Sequence, residues 1–407
     1  MVGDARDQTV RWISEVAAIE RSSASAGERR AAEWIVAQIP DCGAGSRIET
    51  ERAHGTHLPF VLPSAVALAA GFARSRFVAT LVAGLGTAAI LDELGGHLRL
   101  LRRAWARRRT YNVVAELGNR QAARTVVFVS HHDAARPWVA AFGALVSSPP
   151  LRLLGGRRPP VARTLAYAPL MVLLGVTAKA STLRRTGMAL CAFIVALFGD
   201  IARRRPVPGA NDNGSGVAVV LGLACELAAR CPRTLRVLLL STGSEETMLE
   251  GMEAFLRRHR SELHPSRTLV VCLDMVGWDR LIVRESEGVL RPHPSRSQDV
   301  ELLLRAARLA GVDVAVAPSG PAPSDGLAAR WAGLPTILVS SVAADGGYPH
   351  YHRPSDVPDN INVETVLAAR RLCVQLVALL DGDLDPGPQH AADPGGRRQN
   401  MTPRPAC

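Results

Sequence analysis

The chain has 407 residues and a formal net charge of +11, and aromatic residues make up only 4% of it. This length exceeds that of one typical domain, so we expect one main domain with additions. The positive charge could indicate a nucleic-acid partner, but the arginines cluster beside apolar stretches and aromatic residues are scarce. We therefore expect no nucleic acid and favour anionic lipid headgroups as the partner.

The chain begins with two predicted amphipathic helices. They cover residues 9–19 and 27–39, and residues 22–25 supply cap residues for the second helix. The first residues contain no apolar signal region, so we expect no secretory leader. Seven cysteines without zinc-type spacing favour a reduced protein.

Two pairs of apolar stretches stand out as insertions. The first pair covers residues 58–73 and 77–91, and the second covers residues 164–178 and 186–201. Each stretch is shorter than a membrane-crossing helix, which needs about 20 residues. Taken as helical hairpins, however, the two pairs favour membrane association. Packing on each other, on a partner in a homo-oligomer or as a lid is the alternative.

Basic residues crowd the outer flanks of both hairpins. They include Arg102, Arg103, Arg107, Arg108 and Arg109 after the first, and Arg157, Arg158, Arg203, Arg204 and Arg205 around the second. If the hairpins span, the positive-inside tendency puts the catalytic domain on the cytoplasmic side. We therefore expect a cell-membrane protein whose catalytic domain faces the cytoplasm, with a soluble cytoplasmic protein as the alternative.

Four apolar runs of similar length indicate buried strands, and each leads to residue types that bind metals. They are residues 125–130 before His131-His132-Asp133, residues 235–240 before Glu245-Glu246, residues 268–273 before Asp274, and residues 335–340 before His350 and His352. Open α/β sheets place their sites at the carboxyl ends of strands, so these side chains are expected to lie together.

The adjacent Glu245 and Glu246 suggest a hydrolase. Neighbouring side chains of an extended chain point in opposite directions, so one carboxylate can bind a metal while the other acts as a general base. The same pair is also common in the first turn of solvated helices. Upstream, residues 209–216 form a turn before a helical pattern, which places Asp212 at or just before a helix N-terminus.

The remaining periodic segments complete an α/β fold, predicted as a three-layer, mostly parallel doubly wound sheet with helices on both faces. Further strands are expected at residues 111–117, 281–284 and 312–316, and helices at 249–260, 300–310 and 363–380. The main domain is predicted to comprise residues 1–57, 110–136 and 202–381, with helical-hairpin insertions at 58–109 and 137–201 and a disordered tail at 382–407.

Five separated motifs resemble those of the dinuclear zinc aminopeptidases, the family that includes relatives of glutamate carboxypeptidase and glutaminyl cyclase. They are His131-His132-Asp133, the turn at residues 209–216, Glu245-Glu246, the Asp274-Met275-Val276-Gly277 strand end and the late segment from Tyr351 to Asp356. All five stand in the family's order. The resemblance implies a zinc exopeptidase-like fold.

Carried over residue by residue, the resemblance implies two Zn²⁺ ions. His131 and Asp274 would hold one zinc, Glu246 and His352 would hold the other, and Asp212 would bridge both. Imidazole and carboxylate are ordinary zinc ligands, and two ions about 3.5 to 4 Å apart can share a hydroxide and clamp a carbonyl.

The same resemblance leaves Glu245 as the general base. Asp133 is expected to accept the free imidazole N–H of His131 and fix its tautomer, although it could simply cap the strand end.

Several neighbouring residues leave alternatives open. His350 is a rival to His352 as a ligand, and His132 is expected to be an exposed histidine of no special role. Asn211, Asn213 and Ser215 could orient Asp212 or only make the turn. A Ser-Asp-His stretch of the family corresponds to Ser324-Asp325 followed by Gly326, which leaves substrate contacts there in doubt.

These motifs predict a zinc-dependent exopeptidase that hydrolyses peptide bonds with a metal-bridging hydroxide and Glu245 as base. Among exopeptidases, they favour an aminopeptidase. The alternatives are a carboxypeptidase, an amidohydrolase or a glutaminyl cyclase-like enzyme of the same fold. A non-enzymatic membrane scaffold is less favoured, because none of the five ligand residues is missing.

Overall fold

The computed structural model describes residues 2–39, 45–96, 98–138, 161–320 and 322–382. Its centre is an eight-stranded sheet with strand order β1-β2-β4-β3-β5-β10-β6-β9. The strands are β1 Arg47–Ala53, β2 Arg108–Gly118, β3 Arg124–His131, β4 Leu235–Thr242, β5 Thr268–Leu273, β6 Arg280–Arg284, β9 Val314–Ala317 and β10 Thr336–Val342. A separate short pair joins β7 Ser286–Glu287 to β8 His293–Pro294.

The middle of the sheet is parallel. Strand β3 pairs in parallel with β4 and β5, β5 pairs in parallel with β10, and β6 pairs in parallel with β9. The other three pairings, β1 with β2, β2 with β4 and β10 with β6, are antiparallel. The mixed α/β fold with a mostly parallel sheet is therefore confirmed.

Twelve α-helices accompany the strands in the part of the chain that the structure describes. They are α1 Val2–Ala17, α2 Ala26–Gln38, α3 Leu58–Ala70, α4 Arg76–Gly95, α5 Leu100–Ala104, α6 Val161–Thr177, α7 Ser181–Ile201, α8 Gly216–Ala229, α9 Glu250–Arg258, α10 Ser297–Leu309, α11 Asp325–Trp331 and α12 Val363–Gly382. Apolar side chains of the sheet and its flanking helices form two large cores, represented by Phe128 and Leu221 in one and Val127 and Phe255 in the other. Because neighbouring residues of β3 enter different cores, both faces of the sheet are covered.

Helices α3, α4, α6 and α7 pack together as a four-helix unit. Its interior consists mostly of small and aliphatic side chains, such as Ala67, Ala83, Val172 and Ile194. The apolar stretches predicted from the sequence correspond to these four helices. Of the helices that the structure describes, α4 and α7 are long and apolar enough to cross a membrane by length and composition.

A buried ion network attaches this unit to the main domain. The guanidinium of Arg102 on α5 is 2.7 Å from Glu93 of α4 and 3.0 Å from Glu250 of α9. Glu250 also accepts hydrogen bonds from the backbone N–H groups of His54 and Gly55, at 2.6 and 2.7 Å, just before α3 begins. The start and the end of the first hairpin therefore meet at one carboxylate.

Strand β1 and helices α5 and α11 are among the elements that were not predicted from the sequence. Strand β1 is half exposed and its RIETERA sequence has no apolar alternation, so its edge position depends on pairing with β2. Helices α5 and α11 are only 5 and 7 residues long, too short for a periodic signal.

Cys231 differs from the free cysteines Cys191, Cys272 and Cys373. Cys231 is disulfide-bonded, so the expectation of a wholly reduced protein was wrong. The error arose because cysteine spacing does not show which thiols come within bonding distance in the fold.

The predicted disordered tail lies outside the described residues, except for its first residue, Gly382, which ends α12.

The ion network predicts a large effect of one buried arginine on stability. In Arg102→Met, Glu93 and Glu250 lose a buried counter-ion, and we expect the free energy of unfolding to fall by about 3 to 5 kcal/mol. Arg103→Met is the matched control, because Arg103 is exposed on the same helix. Urea unfolding followed by circular dichroism measures both, and equal stability of the two variants would contradict the network's role.

Candidate metal centre

Asp212 lies at the centre of a group of buried polar side chains. Its Oδ1 is 3.2 Å from Nε2 of His131, and its Oδ2 is 3.2 Å from Nε2 of His352. Asp274 Oδ1 is 3.8 Å from the same His131 nitrogen, and Glu246 Oε2 is 3.2 Å from the His352 nitrogen. The structure therefore brings together all five residues proposed from the sequence as ligands, in two sets that share Asp212.

The sheet topology explains this meeting. His131 ends β3, Asp274 follows β5, and the Glu245-Glu246 pair follows β4 after a short loop. Because β4, β3 and β5 are parallel neighbours, their carboxyl ends reach the same edge of the sheet. His352 arrives from the loop after β10, the next strand beyond β5.

The turn before α8 holds Asp212 against the end of β5. Side-chain oxygens of Asn211, Asn213 and Ser215 accept hydrogen bonds from the backbone N–H groups of Gly277, Met275 and Val276, at 2.8, 3.3 and 3.1 Å respectively. These side chains therefore make the turn and also fix it next to Asp274. Both of the roles left open by the sequence are present.

Asp356 supports the same turn from the opposite side. Its carboxylate accepts hydrogen bonds from the backbone N–H groups of Asn211 at 2.8 Å and Asp212 at 3.0 Å. Burial raises the pKa of Asp356 to about 7. Because Asp356 lies four residues after His352, one loop both supplies a candidate ligand and anchors the turn that carries Asp212.

Asp133 has a wider role than the sequence suggested. The Nδ1 of His131 lies 3.1 Å from the backbone oxygen of Asp133 and 3.5 Å from its carboxylate. The carboxylate accepts hydrogen bonds from the backbone N–H groups of Glu245 and Glu246, at 3.0 and 3.2 Å, and from the hydroxyl of Ser23 at 2.6 Å. Asp133 therefore contacts the imidazole mainly through its backbone and holds the glutamate pair with its side chain.

Glu245 lies beside the two sets. Its Oε2 is 3.9 Å from Nε2 of His131, and its side chain is buried. Burial raises the pKa of Glu245 well above its usual value, and the charges of Glu246, Asp325 and Asp274 raise it further against the opposing effect of His131. A carboxylate with a raised pKa is a stronger base than an exposed glutamate.

The two rival histidines lie outside the cluster. His132 follows the last residue of β3 and is fully buried, with its Nδ1 3.0 Å from the hydroxyl of Ser241. The expectation that it is exposed was wrong, because the chain stays beside β4 after β3 ends, where the backbone N–H of His132 donates to the backbone oxygen of Thr242 at 2.8 Å. His350 contacts the hydroxyl of Ser355 at 3.0 Å and makes no contact with Asp212.

The donor set fits a metal cation. The candidate ligand atoms of His131, Asp212 and Glu246 all lie within 4.8 Å of one another. Among the described residues, no donor makes a hydrogen bond to one buried oxygen of Glu246 and one of Asp274. Buried acceptors without a donor are costly unless a cation contacts them, and a mixture of imidazole and carboxylate suits zinc.

The metal-free site binds protons tightly, because it concentrates negative charge in a buried place. Burial lowers the pKa of His352, but the charges of Glu246 and Asp212 outweigh burial and raise it to about 10. The pKa of His131 is also raised well above its usual value, in this case by Glu245 and by hydrogen bonds against the effect of burial. Burial raises the pKa values of Glu246 and Asp274.

Glu28 on α2 is a supporting residue that the sequence did not single out. Its Oε2 accepts hydrogen bonds from the backbone N–H and the hydroxyl of Ser244, at 3.0 and 2.9 Å, immediately before the glutamate pair. Burial and the neighbouring Asp133 raise the pKa of Glu28 to about 8. Ser25 and Glu28 have the spacing of a helix capping box, which was a signal for the helix start but not for this long-range contact.

Two cavities adjoin the cluster. The larger has a volume of about 280 Å³ and lies on the side of Glu246 and His352, where Phe60 of α3 and Phe198 of α7 form part of its apolar wall. The smaller has a volume of about 30 Å³ and is lined by Asp274 and the other members of the cluster. The four-helix unit therefore contributes directly to the surroundings of the site.

Part of the chain matches a known protein family. Residues 195–377 match Peptidase family M28. This match agrees with the family resemblance predicted from the motifs. It covers Asp212, Glu245, Glu246, Asp274 and His352, while His131 precedes it. A curated relative, described as a probable leucine aminopeptidase of Arthroderma otae, is 25% identical over 172 residues. That alignment covers 41% of this chain and 46% of the fungal protein, so this chain matches less than half of its relative's length.

Solved structures show the same M28-type fold. The LapA aminopeptidase of Legionella pneumophila aligns over 93% of this chain and 73% of its own, with a TM-score of 0.54 and 13% identity. An aminopeptidase from Aneurinibacillus aligns over 94% and 96% of the two chains, with a TM-score of 0.53 and 16% identity. The glutaminyl cyclase of Porphyromonas gingivalis aligns over 92% and 98%, with a TM-score of 0.53 and 12% identity.

The raised pKa values predict how zinc and pH act together. A histidine with a raised folded-state pKa stabilises the metal-free protein fully below its usual pKa of 6.5, and this contribution is lost as the pH rises towards about 10. The buried carboxyls with raised pKa values also make the metal-free protein less stable as the pH rises above their usual pKa of about 4. Hydrogen bonds from both imidazoles lower the pKa of Asp212 against the effect of burial, so Asp212 changes the stability only at acid pH.

We therefore expect zinc to raise the melting temperature more at about pH 8 than at about pH 6, because zinc binding releases these protons. Differential scanning fluorimetry with and without zinc measures the difference. His352→Ala should reduce the number of protons released, whereas His350→Ala should leave it unchanged. A zinc effect that shrinks as the pH rises would contradict this account.

Proposed function

We propose that the protein is a zinc-dependent exopeptidase and, more specifically, an aminopeptidase. The observation that carries this proposal is the position of Asp212, whose two carboxylate oxygens each lie 3.2 Å from a different imidazole. A carboxylate placed in this way suits two cations. We assign His131 and Asp274 to one zinc, Glu246 and His352 to the other, and Asp212 to both.

Bound zinc would polarise the carbonyl of the scissile amide and lower the pKa of the attacking water. Glu245 then takes the water proton on its carboxylate and passes it to the leaving amine, which departs as a neutral group. Asp133 keeps Glu245 in place, because its carboxylate accepts the backbone N–H groups of both glutamates. Glu28 fixes the preceding Ser244 in the same way.

An aminopeptidase is preferred over a carboxypeptidase, an amidohydrolase or a cyclase because of the relatives. The curated relative is described as a probable leucine aminopeptidase, and solved structures of the same fold include zinc aminopeptidases. One glutaminyl cyclase shares the fold. Product analysis separates these reactions, since an aminopeptidase releases the first residue of a peptide as a free amino acid.

Replacing the proposed base should separate catalysis from metal binding. In Glu245→Gln, we expect zinc content to stay at the wild-type value while the rate of peptide hydrolysis falls by about 10²-fold or more. Elemental analysis and hydrolysis of amino-terminal amides measure the two quantities. Glu246→Gln is the matched comparison and should lower zinc content as well, because Glu246 is assigned as a ligand. Normal turnover of Glu245→Gln would exclude its role as base.

We further propose that the four-helix unit associates with a membrane. Its outer surface exposes large apolar side chains, among them Phe77 at 78%, Phe72 at 73% and Leu85 at 61% exposure. Exposed apolar surface of this kind needs cover from lipid or protein, and the basic flanks suit anionic lipid headgroups. The cytoplasmic orientation stays a prediction from charge, and the disulfide at Cys231 argues for an oxidising compartment.

Vesicle binding tests the membrane proposal. A variant with Phe72, Phe77 and Leu85 changed to serine should lose co-sedimentation with anionic phospholipid vesicles, because the buried apolar area that drives binding is removed. Leu309→Ser is the matched control, since Leu309 is 58% exposed on α10 of the main domain. Equal vesicle binding of the triple variant and the wild type would contradict the assignment, and a dimer that persists without lipid would favour a protein partner.

A further inference from the structure

A buried arginine next to the metal centre has no role in the proposed chemistry. Arg284 ends β6 and is only 5% exposed. Its Nη1 donates to the backbone oxygen of Pro318 at 2.9 Å, and its Nη2 donates to the hydroxyl of Tyr348. The guanidinium carbon also lies 5.9 Å from the centre of the Tyr348 ring. These contacts fix the position of the guanidinium but do not neutralise its charge.

Arg284 has no carboxylate within 4.0 Å in the described ranges of the chain. Two other buried arginines differ in this respect: Arg102 pairs with Glu93 and Glu250, and Arg330 pairs with Glu287. Arg21 also has no carboxylate within 4.0 Å in the described ranges, but it donates to three backbone oxygens. Burying a cation without a counter-ion costs several kcal/mol. An anion that arrives with the substrate would remove this cost.

The place of Arg284 connects it to the reaction. It lines the smaller cavity together with His131, Asp274 and Glu245 of the metal centre. Glu245, Glu246 and His352 line both this cavity of about 30 Å³ and the larger one of about 280 Å³, so the two cavities meet at the proposed site.

We propose that Arg284 binds a carboxylate of the substrate next to the scissile amide. A guanidinium matches a carboxylate with two parallel hydrogen bonds, and it stays charged at any pH the enzyme meets. The substrates are then peptides with an anionic group next to the cleaved bond. This inference rests on the proposed peptidase function and adds the substrate class.

The carboxylate has two possible sources, and matched substrates distinguish them. An acidic side chain is tested by comparing a glutamyl peptide amide with the glutaminyl peptide amide of the same length. A free chain terminus is tested by comparing the dipeptide Leu-Gly with its carboxamide. In one of these pairs we expect the charged member to have a kcat/KM about 30-fold or more above its neutral partner, mainly through KM.

Arg284→Met should abolish this preference by raising KM for the charged member alone, and Arg284→Lys should restore it in part because the charge returns. Arg236→Met serves as the control for losing a partly buried arginine far from the cavity. If Arg284 only anchored the loop at Pro318, Arg284→Met would change both members of each pair equally, and that result would overturn the proposal.

A second pair of variants avoids any loss of folding. A Cβ at Gly320 would lie 3.6 Å from Nε of Arg284, at ordinary contact distance. Gly320→Asp therefore supplies an internal counter-ion, and Gly320→Asn supplies a neutral group of the same size. We expect only the aspartate variant to lose the preference for the charged substrate. Equal behaviour of the two variants would count against the proposal.

Failure of this inference can be told apart from failure of the proposed function. If neutral peptides are cleaved and no charged member is preferred, the peptidase assignment stands and the carboxylate site is overturned. If no peptide is cleaved, titration calorimetry of glutarate with the zinc-loaded protein still tests the site, since Arg284→Met should weaken binding about 30-fold. Equal glutarate affinity of the variant and the wild type would overturn it.

Discussion

The structure depends on keeping several carboxylates buried together at one edge of the central sheet. Asp133, Asp212, Glu245 and Asp274 are each less than a tenth exposed, and mutual repulsion and loss of hydration both oppose their ionisation. Three kinds of partner offset this cost. Backbone N–H groups point at Asp133, the imidazoles of the site lie against Asp212, and the remaining bare oxygens suit a cation.

This constraint explains why several polar side chains around the site accept hydrogen bonds from the backbone next to the ligands, and not from the ligand side chains. Asp356 holds the turn that carries Asp212, and Glu28 holds the loop before the glutamate pair. Such contacts hold the backbone that carries the ligands in place. A carboxylate on a fixed backbone therefore loses little freedom when it binds a metal. The supporting residues come from both ends of the chain, so the site forms only when the whole main domain has folded.

The four-helix unit is connected to this site in two ways. The Arg102–Glu250 contact ties α5 to the helix that follows the glutamate pair, and Phe60 and Phe198 form part of the wall of the larger cavity. The insertion is therefore placed to shape which substrates reach the metal centre. The smaller cavity shares Glu245, Glu246 and His352 with the larger one and has Arg284 in its wall.

The sequence by itself determined the order of the main strands and helices and the five residues, Asp212 among them, that meet at the site. These were predictable because a buried parallel strand leaves a continuous apolar run, and its end marks the edge where sites form. The four apolar helices were predictable for the same reason, as long apolar segments.

Only the tertiary structure decided the rest. The partners of Asp133 and Glu28, the burial of His132, the ion pairs of Arg102 and the lone charge of Arg284 all depend on contacts between residues far apart in the chain. Local sequence shows hydrophobic periodicity and helix caps. It does not show the distances across the fold that decide whether a charged side chain has a partner of opposite charge. Strand β1 shows the same limit, since its polar sequence becomes a strand only where β2 offers it hydrogen bonds.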